Sequence, residues 1–370
     1  MGMKSGLARI AVRRLHVLVA EVPGFWLLRV MTERAIVARG WVRALSPAEA
    51  DALVVCGIPG SELSGAIDLV WEQLPGPRAR TVVESGETLQ VALDSLVLIL
   101  RDSPPETRAS TETVEHGKQS SPDHGAMDHE AMSHGAMDHG AMGHGAMGHD
   151  AMGHGGMAPA GIRLARGRSD RDGLEMDVLH VPLGPVLPYW PPGLVLRCVL
   201  HGDVIAEAVP TVLPGGVPPI GPDPASPRLR AARWCDVVTG VLALAGWQQA
   251  AADARRVTQS LAAAEGNRME ASLVRLHRQV SRSRLLRWSL RDLGMVNAPH
   301  APTHLVGDVH ERLLAALLCA RDELTGERRG PAGAPSDMLP SLVSGLDLGA
   351  ARLVIASLGL DAHAETAAHG

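Results

Sequence analysis

Ala52-Leu-Val-Val55, closed by Gly57 and Pro59, is followed by Ser61-Glu-Leu-Ser-Gly-Ala-Ile-Asp-Leu-Val-Trp-Glu-Gln-Leu74, by Pro75 and Pro77, and by Arg80-Thr-Val-Val83. The first run is short, apolar and ended by turn formers, which is the pattern of a buried strand. The second places Leu63, Ile67, Val70 and Leu74 at helical spacing, with Ser61 as the expected N-cap. The two prolines stop that helix and the third run forms the next strand. Strand, helix and strand in so short a span make a parallel crossover unit. Leu89 to Leu100 continues as a further apolar helix, so the region up to residue 102 reads as α/β.

Beyond residue 102 the composition changes. Ser103 to Ser121 is rich in Ser, Thr, Glu and Pro, and Ala158 to Gly161 ends a low-complexity tract. Between them run seven consecutive units of the form x-His-x-x-Met. The histidines are His124, His129, His134, His139, His144, His149 and His154; the methionines are Met127, Met132, Met137, Met142, Met147, Met152 and Met157. A five-residue period advances by roughly 500° around a helix, so equivalent side chains form no stripe. With abundant glycine and nothing larger than Met to bury, the tract is expected to be a disordered linker.

Imidazole and thioether donors together suit copper, and silver would compete for them. Nickel or zinc would use the histidines and leave the methionines unexplained. At an unperturbed pKa of about 6.5 most of these histidines are neutral at pH 7. Ordering a mobile chain around each ion costs entropy, so several exchangeable sites are expected. The competing reading is a linker lengthened by codon slippage, with incidental metal affinity.

Residues 161–370 open with β character. Met176 to Leu183 reads as a strand, and Leu194 to Leu200 pairs with Val204 to Val209 across His201-Gly202-Asp203. Pro210 to Pro227 reads as a loop, followed by helices near 228–245, 247–264, 268–293 and 304–325, and one or two more in 339–360. The expected domains are therefore 1–102, 103–160 and 161–370.

Global properties exclude several classes. A net charge of −5 gives no electrostatic case for nucleic acid. Cys56, Cys198, Cys235 and Cys319 are too scattered for a disulfide framework or a zinc motif, which points to a reducing, cytoplasmic setting. No apolar run reaches the roughly 18 residues of a membrane span. The apolar N-terminal stretch is broken by Glu21 and Arg29, which argues against a signal peptide.

The run Arg39-Gly-Trp-Val-Arg-Ala-Leu-Ser-Pro-Ala-Glu-Ala-Asp-Ala-Leu-Val-Val-Cys-Gly57, with Glu72-Gln-Leu-Pro-Gly-Pro77 further on, resembles the small iron–sulfur subunit shared by respiratory complex I and [NiFe] hydrogenases. Val181-Pro-Leu-Gly-Pro-Val-Leu-Pro-Tyr-Trp-Pro-Pro-Gly193, the strands after it, and the helix carrying Arg275 and His277 are similar to the partner large-subunit (49-kilodalton) family. Leu342 to Asp361 resembles that family's C-terminal segment. The resemblance implies a flavodoxin-like α/β N-terminal domain. It also implies an α+β, mainly helical C-terminal domain with an opening β-hairpin.

The departures bear on function. Cys56 is the only cysteine of the first segment. Glu84-Ser-Gly-Glu87 and Val22-Pro-Gly-Phe-Trp26 carry none where the small-subunit family holds its cluster. No Cys-x-x-Cys pair is present for nickel and iron, and Leu187 and Pro192 stand where the large-subunit family has quinone-facing histidines. Neither an iron–sulfur cluster nor a NiFe centre is expected. Tyr189, the only tyrosine, is either a quinone-headgroup partner or an ordinary loop aromatic.

Two further groups of side chains stand out. His300, His304 and His310, with Asp308 and Glu311, lack the i, i+4 spacing of a helical metal site and read as a surface cluster. Arg275, Arg278, Arg282, Arg284, Arg287 and Arg291 make one helix basic, either as a solvated face or as a docking face for an acidic subunit. The expected function is a catalytically degenerate scaffold, assembly or regulatory partner of complex I- or hydrogenase-like subunits, with a copper-binding linker. It would be cytoplasmic, with peripheral membrane association only through those partners. The alternatives are a copper or nickel storage and delivery protein, and a quinone-linked oxidoreductase subunit using clusters in its partners.

Overall fold

The computed structural model describes residues 14–102, 164–169, 175–215, 226–265, 269–297, 301–326 and 334–360. The first stretch holds β1 (His16–Glu21), α1 (Trp26–Ala38), β2 (Val42–Arg43), β3 (Ala52–Cys56), α2 (Ser61–Glu72), β4 (Ala79–Val83) and α3 (Leu89–Asp102). The four strands form one parallel sheet in the order β2-β1-β3-β4. β3 is central, and every one of its residues is buried, which is why it reads as an unbroken apolar run. Leu63 and Ile67 seat α2 on the sheet, each contributing about 1.5–3 kcal/mol by burial. The cap of α2 is Gly60 rather than Ser61, whose side chain is exposed and makes no capping bond.

The second half starts with an antiparallel sheet of four strands, β5 (Leu164–Ser169), β6 (Glu175–Leu183), β7 (Leu194–His201) and β8 (Val204–Val212), in sequential order. It is wider than the anticipated hairpin. Pro210 belongs to β8, opposite Leu196, which is tolerated because β8 is an edge strand. Pro227 opens a helix instead of closing a loop: in α4 (Pro227–Leu244) it occupies the first turn, while the Ser226 side chain accepts from the Leu229 N–H.

Around α4 pack α5 (Gln248–Ala262), α8 (Val309–Thr325) and α10 (Leu348–Ser357). α4 is buried on most of its circumference, from Ala231 and Trp234 to Val241 and Leu242, and so forms the axis of this half. The basic helix anticipated as one element is two, α6 (Met269–Arg282) and α7 (Arg284–Leu290), because Ser283 leaves the helical conformation to cap α7 through the Leu286 N–H. α8 begins at Val309, five residues later than anticipated. Asp308 and Glu311 close a reciprocal capping box there, and Gly326 ends the helix in the left-handed conformation. The last segment contributes α9 (Leu339–Val343) and α10.

The halves pack against each other. Val195 and Leu213 of the second half belong to the buried core of the first. Pro23 presses on Gly193, where an added Cβ would lie 2.6 Å from the proline Cγ at a φ of +77°, so glycine is required. Among the described residues no helix is long and apolar enough to cross a membrane.

Candidate functional site

In the order β2-β1-β3-β4 the direction of the chain reverses between β1 and β3, and ligands of parallel sheets bind outside the carboxyl ends of strands at such a point. β1 ends at Glu21, and the turn after it, Val22 to Phe25, leads into α1. Phe25 is buried and folds over Gly57 at the end of β3; a Cβ at Gly57 would lie 2.5 Å from the ring. Beside this filled corner lies a cavity of about 180 Å³ shared by both halves. Its floor is the end of β1 and the start of α1, its wall is α4 from Arg233 to Gly240, and its roof is the loop from Pro185 to Pro192. Arg352 of α10 pins that roof by donating from Nη2 to the Pro188 carbonyl at 3.0 Å.

Arg29 is the centre of the charge arrangement. Its Nε donates to Glu21 Oε2 at 2.6 Å, its Nη1 to Glu33 Oε1 at 3.0 Å, and its Nη2 to Asp236 Oδ2 at 2.5 Å. The last bond ties the first half to α4 of the second. Trp26 Nε1 donates to the same Asp236 oxygen at 2.9 Å, and Arg43 reaches Glu33 at 3.2 Å. Burial opposes the charge on Arg29, but Asp236, Glu33 and Glu21 outweigh it and hold the guanidinium firmly protonated. Glu21 is less well compensated: burial pushes its carboxyl up to about 7, against the pull of Arg29. Burial also acts to raise Glu33, yet Arg43 and Arg29 bring it below its ordinary value.

Arg255 of α5 is placed differently. Its Nη2 donates to Tyr189 Oη at 2.8 Å, and its Nε is buried with no hydrogen-bond partner among the described residues. Burial and the nearby Arg43 lower its pKa. Tyr189 stands at a φ of 58°, in the left-handed region that a tyrosine adopts at a cost of about 1–3 kcal/mol. The Arg43 guanidinium lies 5.3 Å from the centre of its ring. The walls thus carry four guanidiniums, of Arg29, Arg43, Arg233 and Arg255, against the carboxylates of Glu21, Glu33 and Asp236. Trp26, Trp190 and Trp234 supply flat apolar surface beside them. No family model matches the chain, and neither does any curated protein or solved structure.

The structure brings one of the anticipated residues, Tyr189, into this site, with Leu187 and Pro192 beside it. All fourteen His/Met tract residues, His124 to Met157, lie outside the described residues, as does His300. Among the described residues no three His, Cys, Asp or Glu side chains are grouped to hold a metal ion.

The anticipated surface cluster is a correction: His304, Asp308 and His310 are 5%, 6% and 7% exposed. His304 packs edge-on against Trp234 at 5.1 Å, and Asp308 serves the α8 cap and the Asp292 N–H. Burial lowers the pKa of His310. The five arginines of α6 and α7, and Arg291 just after α7, are all exposed, together with Trp288 at 77%. Cys56 is buried at the end of β3, donates to Thr32 Oγ1 at 3.4 Å, and is pushed by burial up to about 12.

Glu21, Arg29, Glu33, Asp236 and Arg255 were missed in the sequence. Their signal was charge inside apolar stretches: Glu21 and Arg29 interrupt a run that otherwise reads as core.

Proposed function

We propose that this chain is a catalytically degenerate protein of the complex I/hydrogenase type. It joins a flavodoxin-like half and a large-subunit-like half, and acts as a scaffold, assembly or regulatory partner of a redox complex. The observation that carries this reading is the Arg29 bridge. It fastens the two halves to each other at the carboxyl end of β1, through Glu21 and Glu33 on one side and Asp236 on the other. The parallel order β2-β1-β3-β4 supports the flavodoxin-like assignment. The exposed arginines of α6 and α7 are the face we assign to an acidic subunit of that complex, with the chain on the cytoplasmic side and any membrane contact made through partners. Purification of the tagged full chain from native cells should bring down hydrogenase- or complex I-like subunits; a chain that stays monomeric at native abundance defeats the proposal.

The seven His/Met pentads favour a copper-binding role for the tract beside the scaffold, and a storage or delivery protein as the main alternative. Titration with Cu(I) should lose most of its stoichiometry when residues 123–157 are deleted, and an unchanged stoichiometry removes copper from the reading. The place of Tyr189 in the cavity wall favours a third reading, a quinone-linked subunit that uses clusters in its partners. A stoichiometric quinone carried through purification would replace the scaffold reading with that one.

A further inference from the structure

We infer that the cavity between the halves is a receptor for a small amphipathic monoanion, a single carboxylate or comparable head on an apolar body, with Arg255 and Tyr189 as its head-group ligands. The donor inventory points there. Arg29 is occupied by three carboxylates, and Arg43 is engaged by Glu33. Among the described residues, Arg255 has a phenol oxygen as its hydrogen-bond partner and a buried Nε with none. A charged donor left in that state is costly until an acceptor arrives.

Tyr189 Oη accepts from Arg255, so its own proton remains to be given away. Guanidinium and phenol therefore present donors side by side, and an oxyanion satisfies both. The left-handed backbone of Tyr189 and the tether from Arg352 to Pro188 fix the phenol in place before any ligand binds.

Glu33 and Asp236 keep carboxylates beside the head group, which disfavours a ligand carrying more than one negative charge. Leu187, Trp190, Val237 and Ile355 line the remainder and suit an aliphatic or aromatic body of a few carbons. Glu21 sharpens the effect. Facing Arg29 and Cys56 on its own half and Arg233 and Asp236 on α4, it is largely neutral below about pH 7, when the cavity is most positive.

The inference stands apart from docking on a redox complex, and its test uses the isolated full chain. Isothermal titration at pH 6.5 compares hexanoate, 1-hexanol and hexylamine as probes. Hexanoate should bind one per chain, at least tenfold more tightly than hexanol, with hexylamine silent. Arg255→Gln should weaken hexanoate at least tenfold and leave hexanol unchanged, while Arg255→Lys recovers part of the loss. Tyr189→Phe, which changes one oxygen, should cost several-fold and covers the case in which Arg255→Gln does not fold. Equal affinities for hexanoate and hexanol, an Arg255→Gln protein that binds hexanoate normally, or no binding by any probe each overturns the inference.

Discussion

The boundary between the halves and the interior of the second half each bury an arginine, and the two are treated oppositely. Arg29 sits among carboxylates and is held more strongly protonated than usual. Arg312 of α8 is 1% exposed and meets neutral oxygens: the carbonyls of Gly294 and Gly307 at 2.7 and 2.6 Å and Ser357 Oγ at 2.9 Å. Burial lowers its pKa to about 10, against the smaller pull of Asp308 and Glu311. One arginine is a clamp whose carboxylate partners come from both halves; the other is a peg that gathers a loop, a helix cap and the end of α10. A clamp made of charges responds to pH and to partners, whereas a peg made of neutral acceptors does not.

The largest expected effect is at the peg. Arg312→Leu removes three hydrogen bonds at once and leaves their acceptors without a donor in a largely buried site, so it should destabilise the protein by about 3–5 kcal/mol. Urea denaturation should show this loss nearly unchanged between pH 5.5 and pH 8. A loss below about 1 kcal/mol would mean that the loop re-forms its bonds without the guanidinium, and the distinction between peg and clamp would fall.

Arg29→Met should cost less, about 2–3 kcal/mol at pH 8, and the cost should shrink on acidification. It leaves Glu21, Glu33 and Asp236 facing one another, but Glu21 can take up a proton. The wild-type protein should show the same linkage from the other side. The folded-state pKa of Glu21 is raised from 4.5 to about 7, so its stabilising contribution is complete below about pH 4.5 and is lost as pH climbs to about 7. Glu33 is shifted downward, so its contribution is present above its unfolded value and is lost on acidification.

Glu21→Gln should therefore gain stability relative to wild type as pH rises from 5 to 7.5, by about 1–3 kcal/mol at the upper end. Thermal midpoints across that range decide it, and a pH-independent difference would place the wild-type Glu21 titration outside this window.

How much of this was legible follows from what a sequence displays. The crossover β3-α2-β4 shows because its apolar spacing and its prolines are local, and the ranges found differ from those read by a residue or two. Trp26 to Ala38 did not show as a helix because Glu21 and Arg29 read as interruptions of an apolar stretch. One of the carboxylates that compensate Arg29, Asp236, lies 207 residues away, beyond the reach of any periodicity. His304 and His310 mislead for the same reason in reverse: polar residues read as surface, whereas His304 packs on Trp234 and His310 is buried in the first turn of α8. The Asp308-x-x-Glu311 spacing did carry the capping signal that would have corrected this. Tyr189 was legible as a position and illegible as an environment, because Arg43 and Arg255 come from opposite halves.

The smallest stability effect is expected where charge is plainest to read. Arg278 and Arg287 are exposed on α6 and α7, and neither is bound to a carboxylate among the described residues. Converting both to Gln should move the unfolding free energy by no more than about 0.5 kcal/mol each, because exposed charges are screened and already solvated. That makes them the cleanest probe of docking. Unlike Arg29 and Arg312, they can be changed without disturbing the body that carries them. A double variant that folds normally and no longer retains its acidic partner in low salt would place the interface on this face. Retention at wild-type strength would show that the arginines are solvated charge and that the partner meets another surface.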